Sequence, residues 1–156
     1  MDDLFADPRL TLSGLLLEAT GGLLSKLEPV MRAHGLSNLD LNALMRLSRS
    51  PGRRLRMSDL AAQTSLSTSG VTRLVDRLAR TGLAARESSP GDRRTTYAVL
   101  TPQGAERLAQ ALPDYLAAVD RWFTGLLAPG QLASLDEALR VVRDAAFPGA
   151  TEYTPD

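Results

Sequence analysis

Residues 57–83 read MSDLAAQTSLSTSGVTRLVDRLARTGL, and this stretch decides the fold. Residues 58–63 favour a short helix, and residues 64–66 favour a tight turn. Ser67 is a good N-cap for a second helix that runs to about Arg80, and Gly82 supplies the left-handed residue with which helices commonly end. Two helices joined by a tight turn predict a helix-turn-helix, whose second helix enters the major groove of DNA.

The second helix has two faces. Its apolar stripe predicts a buried side, whereas its polar stripe begins with hydroxyl side chains near the N-terminus. Short hydroxyls at this position suit close approach to phosphates and base edges, and an arginine is long enough to reach a guanine edge. The apolar stripe comprises Val71, Leu74, Val75 and Leu78, and the polar face comprises Thr68, Ser69, Thr72, Arg73 and Asp76.

A β-hairpin is predicted after this helix. Residues 83–87 and 95–100 form short extended runs, and residues 88–92 between them are rich in turn-forming types. A hairpin after a helix-turn-helix is typical of a winged helix. The predicted fold is therefore mainly α with a small β-hairpin wing.

Apolar helical stripes flank this core on both sides. They recur in residues 12–30, 108–126 and 132–146. Pro113 is predicted to kink or divide its helix. We therefore expect residues 37–100 to form the DNA-binding domain, residues 1–36 and 101–148 a helical dimerisation region, and residues 149–156 a loose tail.

Composition excludes several classes of protein. The 156 residues include no cysteine and one histidine, so disulfides and thiol chemistry are excluded, and neither a metal site nor a cofactor is predicted. The acidic N-terminus and the lack of a long apolar run predict a cytoplasmic protein with no membrane partner. The net charge is zero overall, yet residues 53–94 hold nine arginines and four acids, a charge of +5 that favours a polyanionic partner.

The chain resembles the multiple-antibiotic-resistance regulator (MarR) family. The resemblance rests on SGVTRLVDRL at residues 69–78 and on PGDRR at residues 90–94, followed by LTPQG at residues 100–104. It covers residues 10–147 and implies an obligate homodimer. It also implies a repressor of a palindromic operator, which many members release on binding a small phenolic or anionic ligand. Gly70 departs from the family because a hydroxyl residue is frequent at that position.

The predicted DNA contacts lie on the second helix and at the wing. Arg94 is expected to be the principal cation of the wing and Arg93 the more dispensable one, whereas Asp92 is expected to pair with a nearby arginine and orient it. Arg77 is included among these contacts, and the other roles open to it are a pair on the helix surface, as for Asp76, or support of the wing. The full set is Ser67, Thr68, Ser69, Thr72, Arg73, Arg77, Asp92, Arg93 and Arg94.

Other interpretations remain open. A winged helix that binds protein would lack the basic bias around the wing, and a small enzyme would need grouped catalytic residues that the sequence does not display. A DNA-binding protein without an effector is compatible with every motif, because no motif marks the ligand pocket. Arg53, Arg54 and Arg56 fit a solvated loop and a phosphate contact equally well.

Overall fold

The computed structural model describes residues 5–89, 91–92 and 94–155. In this part of the chain, two long helices precede the helix-turn-helix and its hairpin, and two more follow. The helices are α1 (Pro8–Ala33), α2 (Asn38–Arg49), α3 (Met57–Thr64), α4 (Thr68–Arg80), α5 (Pro102–Trp122) and α6 (Pro129–Ala146); the strands are β1 (Arg54–Arg56), β2 (Ala84–Ser88) and β3 (Thr96–Leu100).

The predicted helix-turn-helix is present as α3 and α4. Ser65 ends α3 in the left-handed conformation with φ of 56°, and Ser67 then caps α4 by accepting a hydrogen bond from the N–H of Gly70 at 3.1 Å. Gly82, with φ of 74°, turns the chain after α4 and into the hairpin. Local capping thus sets both ends of α4, as the sequence predicts.

The hairpin belongs to a three-stranded antiparallel sheet, and its third strand forms where the sequence favours at best a short extended piece at residues 55–57. In the described residues the strand order is β1-β3-β2, so β1 lies at the edge beside β3, with Arg56 opposite Tyr97. Ala85 pairs with Val99 in the hairpin itself. The sheet fixes the base of the wing next to the start of α3.

One core holds the winged helix to the flanking helices. The four apolar residues of α4 are at most 2% exposed, and they pack with buried residues of α2, β3 and α5. Gly104 at the start of α5 makes this approach possible, because a β-carbon there would lie 2.0 Å from the carbonyl oxygen of Leu83. Helix α5 is not divided at Pro113.

The tail differs from the sequence prediction. Residues 149–155 are not loose: Pro148–Thr151 forms a 3₁₀ turn, and the chain beyond it lies against α3. The buried carboxylate of Asp59 accepts hydrogen bonds from the backbone N–H of Thr154 at 2.7 Å and from its hydroxyl at 2.9 Å. A buried carboxylate needs such donors, and this tertiary need outweighs the loop-like composition of the tail.

Candidate nucleic-acid interface

The exposed face of α4 carries most of the predicted contacts. Ser67, Thr68, Ser69 and Arg73 are exposed, and Thr72 is half-buried. The hydroxyls of Ser67 and Ser69 lie 3.2 Å apart at the N-terminus of the helix. Partial positive charge from the unpaired N–H groups of a helix N-terminus attracts phosphate, so this end is suited to a polyanion.

A polar cleft of about 380 Å³ separates α4 from the wing. It brings Thr68 and Thr72 of α4 together with Arg94 of the wing, although these residues were predicted from separate motifs. Two more arginines, Arg56 from β1 and Arg86 from β2, line the same cleft. Its remaining walls are Met57, Ser58, Ala61, Val71, Thr95 and Thr96.

Asp92 stabilises the turn of the wing. Its carboxylate accepts a hydrogen bond from the backbone N–H of Arg94 at 2.9 Å and another from the hydroxyl of Thr95 at 3.0 Å. The N–H of Arg94 first, and the hydroxyl of Thr95 second, lower the pKa of Asp92 below its ordinary value. The expected partner was an arginine side chain; in the described residues Asp92 holds the backbone of Arg94 instead.

Arg73 and Arg94 remain available to a ligand. In the described part of the chain, no carboxylate lies within ion-pair distance of either guanidinium. Arg86, by contrast, lies 3.2 Å from the carboxylate of Asp76 and 3.5 Å from the carbonyl oxygen of Thr72. Arg86 therefore connects β2 to α4 and fixes the wall of the cleft.

Arg77 lies apart from the other predicted contacts. Its guanidinium is 2.5 Å from the carboxylate of Asp40. Asp40 also forms the capping box of α2 together with Ser37. Arg77 does not line the cleft. Asp40 is a buried carboxylate whose charge needs a partner, and Arg77 supplies it. A DNA contact by Arg77 remains a prediction.

Two solved structures of similar fold are more than 30% identical to this chain. AbsC, a MarR family transcriptional regulator from Streptomyces coelicolor, is 36% identical, with a TM-score of 0.84 over 90% of this chain and 95% of that one. This chain belongs to the MarR family. A second Streptomyces coelicolor member of the family, solved in complex with DNA, is 32% identical with a TM-score of 0.81, over 88% of this chain and 86% of that chain.

Sequence comparison agrees with this MarR assignment. A family model described as "MarR family" matches residues 34–95. The transcriptional repressor MprA of Escherichia coli K12 is 28% identical over 109 residues, which are 70% of this chain and 62% of MprA. The chain spans less than two thirds of the length of the first curated relatives that it matches. Membership in a family of transcriptional regulators agrees with the prediction that the chain is not an enzyme.

Several residues that line this cleft were not predicted as DNA contacts from the sequence, or fitted other roles equally well. Arg56 was left open, and the structure places it on the cleft, where its Nε is buried with no hydrogen-bond partner among the described residues. Arg86, Thr95 and Thr96 were missed. The charge of residues 53–94 already pointed to Arg86, whereas the two threonines carried no signal beyond lying next to Arg94.

Three further predictions from the sequence concern Arg93, a metal site and a membrane span. Arg93 lies outside the described residues, so its place at the wing remains a prediction. Among the residues described, no group of histidine, aspartate and glutamate side chains is arranged to hold a metal ion. No helix in the described ranges combines the length and apolarity needed to cross a membrane.

Proposed function

We propose that this chain is a homodimeric transcriptional regulator that binds a palindromic duplex operator and represses the gene beside it. Helix α4 lies in the major groove, and the wing contacts the backbone or the minor groove. The contacts are made by Ser67, Thr68, Ser69, Thr72 and Arg73 on α4, and by Arg94 and Arg93 on the wing, with Asp92 as the turn that sets Arg94. The chain acts in the cytoplasm.

The cleft between α4 and the wing carries this proposal. It joins the hydroxyl of Thr68 at a helix N-terminus to Arg94, which has no carboxylate partner among the described residues, and to Arg86, which pairs with Asp76. Such a surface has the charge and the donors that phosphates require, and α4 presents side chains for base edges. The MarR relative solved with DNA supports the same partner.

Dimerisation is supported by the apolar surface of α1, α5 and α6. A cavity of about 690 Å³ opens between these helices, and its walls include Leu15, Leu16, Trp122 and Leu139. These side chains are 38–58% exposed in the single chain. An exposed apolar area of this kind marks an interaction surface, and a two-fold partner would present two copies of α4 to successive turns of DNA.

The test is enrichment of DNA by the purified protein. Genomic fragments are incubated with the wild-type chain, and the retained fragments are sequenced. We expect a palindrome with half-sites about one helical turn apart. Arg94→Ala serves as the interface variant and Arg140→Ala, an exposed arginine on α6, as the matched control; enrichment should fall only for the first. Retention of unrelated fragments by all three proteins would refute the proposal.

A further inference from the structure

The tail runs along α3 in the direction opposite to the helix. Near the end of α3, Nε2 of Gln63 donates a hydrogen bond to the carbonyl oxygen of Glu152 at 2.6 Å. In the first turn of α3, the carboxylate of Asp59 accepts bonds from the backbone N–H and the hydroxyl of Thr154. We refer to residues 152–155 as the strap, because hydrogen bonds join this segment to both ends of α3.

Hydrogen bonds, and not apolar burial, hold the strap. All of its residues are exposed, whereas Asp59 is 1% exposed. Besides Thr154, the one donor to Asp59 in the described part of the chain is the hydroxyl of Ser58, at the longer distance of 3.4 Å. A buried carboxylate is costly unless such donors satisfy it. The strap and the first turn of α3 therefore stabilise each other.

The strap also reaches Arg56, the last residue of β1. Nη2 of Arg56 donates a hydrogen bond to the carbonyl oxygen of Pro155 at 2.9 Å. The same side chain lines the cleft between α4 and the wing. It also lines a cavity of about 420 Å³ whose walls include Tyr153 and Thr154 of the strap. Arg56 thus extends from the strap to the cleft.

The charge of Arg56 acts on the cleft and on the wing. Among the described residues, no carboxylate lies within ion-pair distance of its guanidinium. The N–H of Arg94 first, and the hydroxyl of Thr95 second, lower the pKa of Asp92. The positive charge of Arg56 lowers this pKa further by a smaller amount. A cation between the cleft and the turn of the wing is suited to a DNA phosphate.

Local structure does not fix Arg56 by itself. Arg56 is the N-cap residue of α3, and no side chain at that position makes a capping bond. The start of this short helix therefore lacks the bond that commonly holds it. The strap supplies two bonds instead, one to Asp59 in the first turn and one to the guanidinium of Arg56.

We propose that Arg56 contacts a phosphate of bound DNA and that the strap positions its side chain for this contact. The bond from Nη2 to Pro155 holds one side of the guanidinium and leaves Nη1 to donate to a phosphate oxygen. A side chain that is ordered before binding loses less conformational entropy when it meets DNA. This inference rests on the proposed DNA-binding function and adds a contact and a positioning segment to it.

Substitution of Arg56 in the full chain tests the contact. Affinity for the operator recovered by enrichment, and for a scrambled duplex, is measured by fluorescence anisotropy over a range of salt concentrations. Arg56→Gln should weaken binding to both duplexes by about tenfold, the effect of one charge-assisted hydrogen bond. It should also reduce the slope of log affinity against log salt by about 1 for each subunit bound. Arg140→Gln, an exposed arginine on α6, should change neither quantity.

Substitution of Thr154 tests the positioning. Thr154→Pro removes both donors to Asp59, and a residue before proline is already confined to extended backbone that proline tolerates. Operator affinity should fall by about fivefold, the effect of ordering one long side chain. In the Arg56→Gln background the same substitution should change affinity by less than about twofold, because the strap acts through Arg56. Thr154→Ser, which keeps both donors, should bind like the wild type.

Several results would overturn the proposal. An unchanged salt slope in Arg56→Gln would show that Arg56 does not contact phosphate. Unchanged or tighter operator binding by Thr154→Pro, or an equal loss with and without Arg56→Gln, would show that the strap does not position Arg56. If circular dichroism shows that Thr154→Pro is unfolded, Thr154→Val replaces it with the same expectations. A wild-type chain that binds no DNA refutes the proposed function as well, whereas variants that bind the operator like the wild type refute this inference alone.

Discussion

Arg73 and Arg77 lie four residues apart on α4, and the structure gives them different surroundings. Arg77 is bound to Asp40, whereas Arg73 is exposed and has no carboxylate partner among the described residues. Spacing along a helix cannot separate these two roles, because the partner of Arg77 comes from another helix. The polar face and the buried stripe of α4 were predictable; the ion pair across elements was not.

Arg73→Ala should weaken binding to the specific operator by about 1–3 kcal/mol if its guanidinium reads a base. A contact to a base edge forms only on the specific sequence, so its loss lowers the affinity for the operator and not the affinity for an unrelated duplex. Competition binding on the operator and on an unrelated duplex measures the difference. Arg80→Ala, an exposed arginine in the last turn of the same helix, is the control. Equal losses on both duplexes would show that Arg73 contacts only phosphate.

Substitutions of Asp92 test whether a negative charge near DNA stabilises the turn of the wing. Asp92→Ala removes both acceptor oxygens and should weaken operator binding, although it also removes a like charge. Asp92→Asn keeps one acceptor for the N–H of Arg94 and should bind between the wild type and the alanine variant. The pKa of Asp92 is lowered, so its ionised carboxylate stabilises the turn of the wing at any pH above the ordinary carboxyl pKa. This stabilisation is lost as the pH falls through the lowered pKa. Tighter operator binding by both variants at neutral pH would contradict this role.

At the scale of elements, capping residues and apolar periodicity made most of the helices and their ends predictable from the sequence. Ser67 before α4, Thr101 before α5 and Gly82 after α4 fix the ends of these helices through local hydrogen bonds, which a sequence displays. The third strand and the docked tail depend on long-range pairs instead. The composition of residues 149–156 resembles a loop, and nothing near them in sequence reveals Asp59 as their partner.

The bond between Thr154 and Asp59 should be measurable in stability. Thr154→Val removes the hydroxyl donor to a buried carboxylate and should lower the free energy of unfolding by about 1–2 kcal/mol. Thr154→Ser keeps the hydroxyl and should retain most of the stability. Urea denaturation followed by circular dichroism compares the variants. If valine and serine are equally stable, the hydroxyl bond contributes nothing.

At the scale of the whole molecule, the apolar faces of α1, α5 and α6 are the basis of the proposed dimer. Leu15 lines the cavity between these helices and is 58% exposed in the single chain. A surface of this kind explains why the flanking helices carry wider apolar stripes than the winged helix needs to cover its own core.

Leu15→Glu should therefore dissociate the dimer. Light scattering of the wild type should give twice the chain mass of 16.8 kDa, and the variant should give a mass near one chain at micromolar concentration. Ser13→Glu places the same charge on the other side of α1 and should remain dimeric. A monomeric wild type, or a Leu15→Glu variant that stays dimeric, would refute the proposed interface.

The central claim is that two copies of α4 and the wing recognise one DNA sequence. Fluorescence anisotropy with the operator recovered by enrichment, and with a scrambled duplex of equal length and composition, tests it at one salt concentration. We expect the wild-type protein to bind the operator at least about 10³-fold more tightly than the scrambled duplex. Equal affinity for the two duplexes, or no binding to either, would contradict the account.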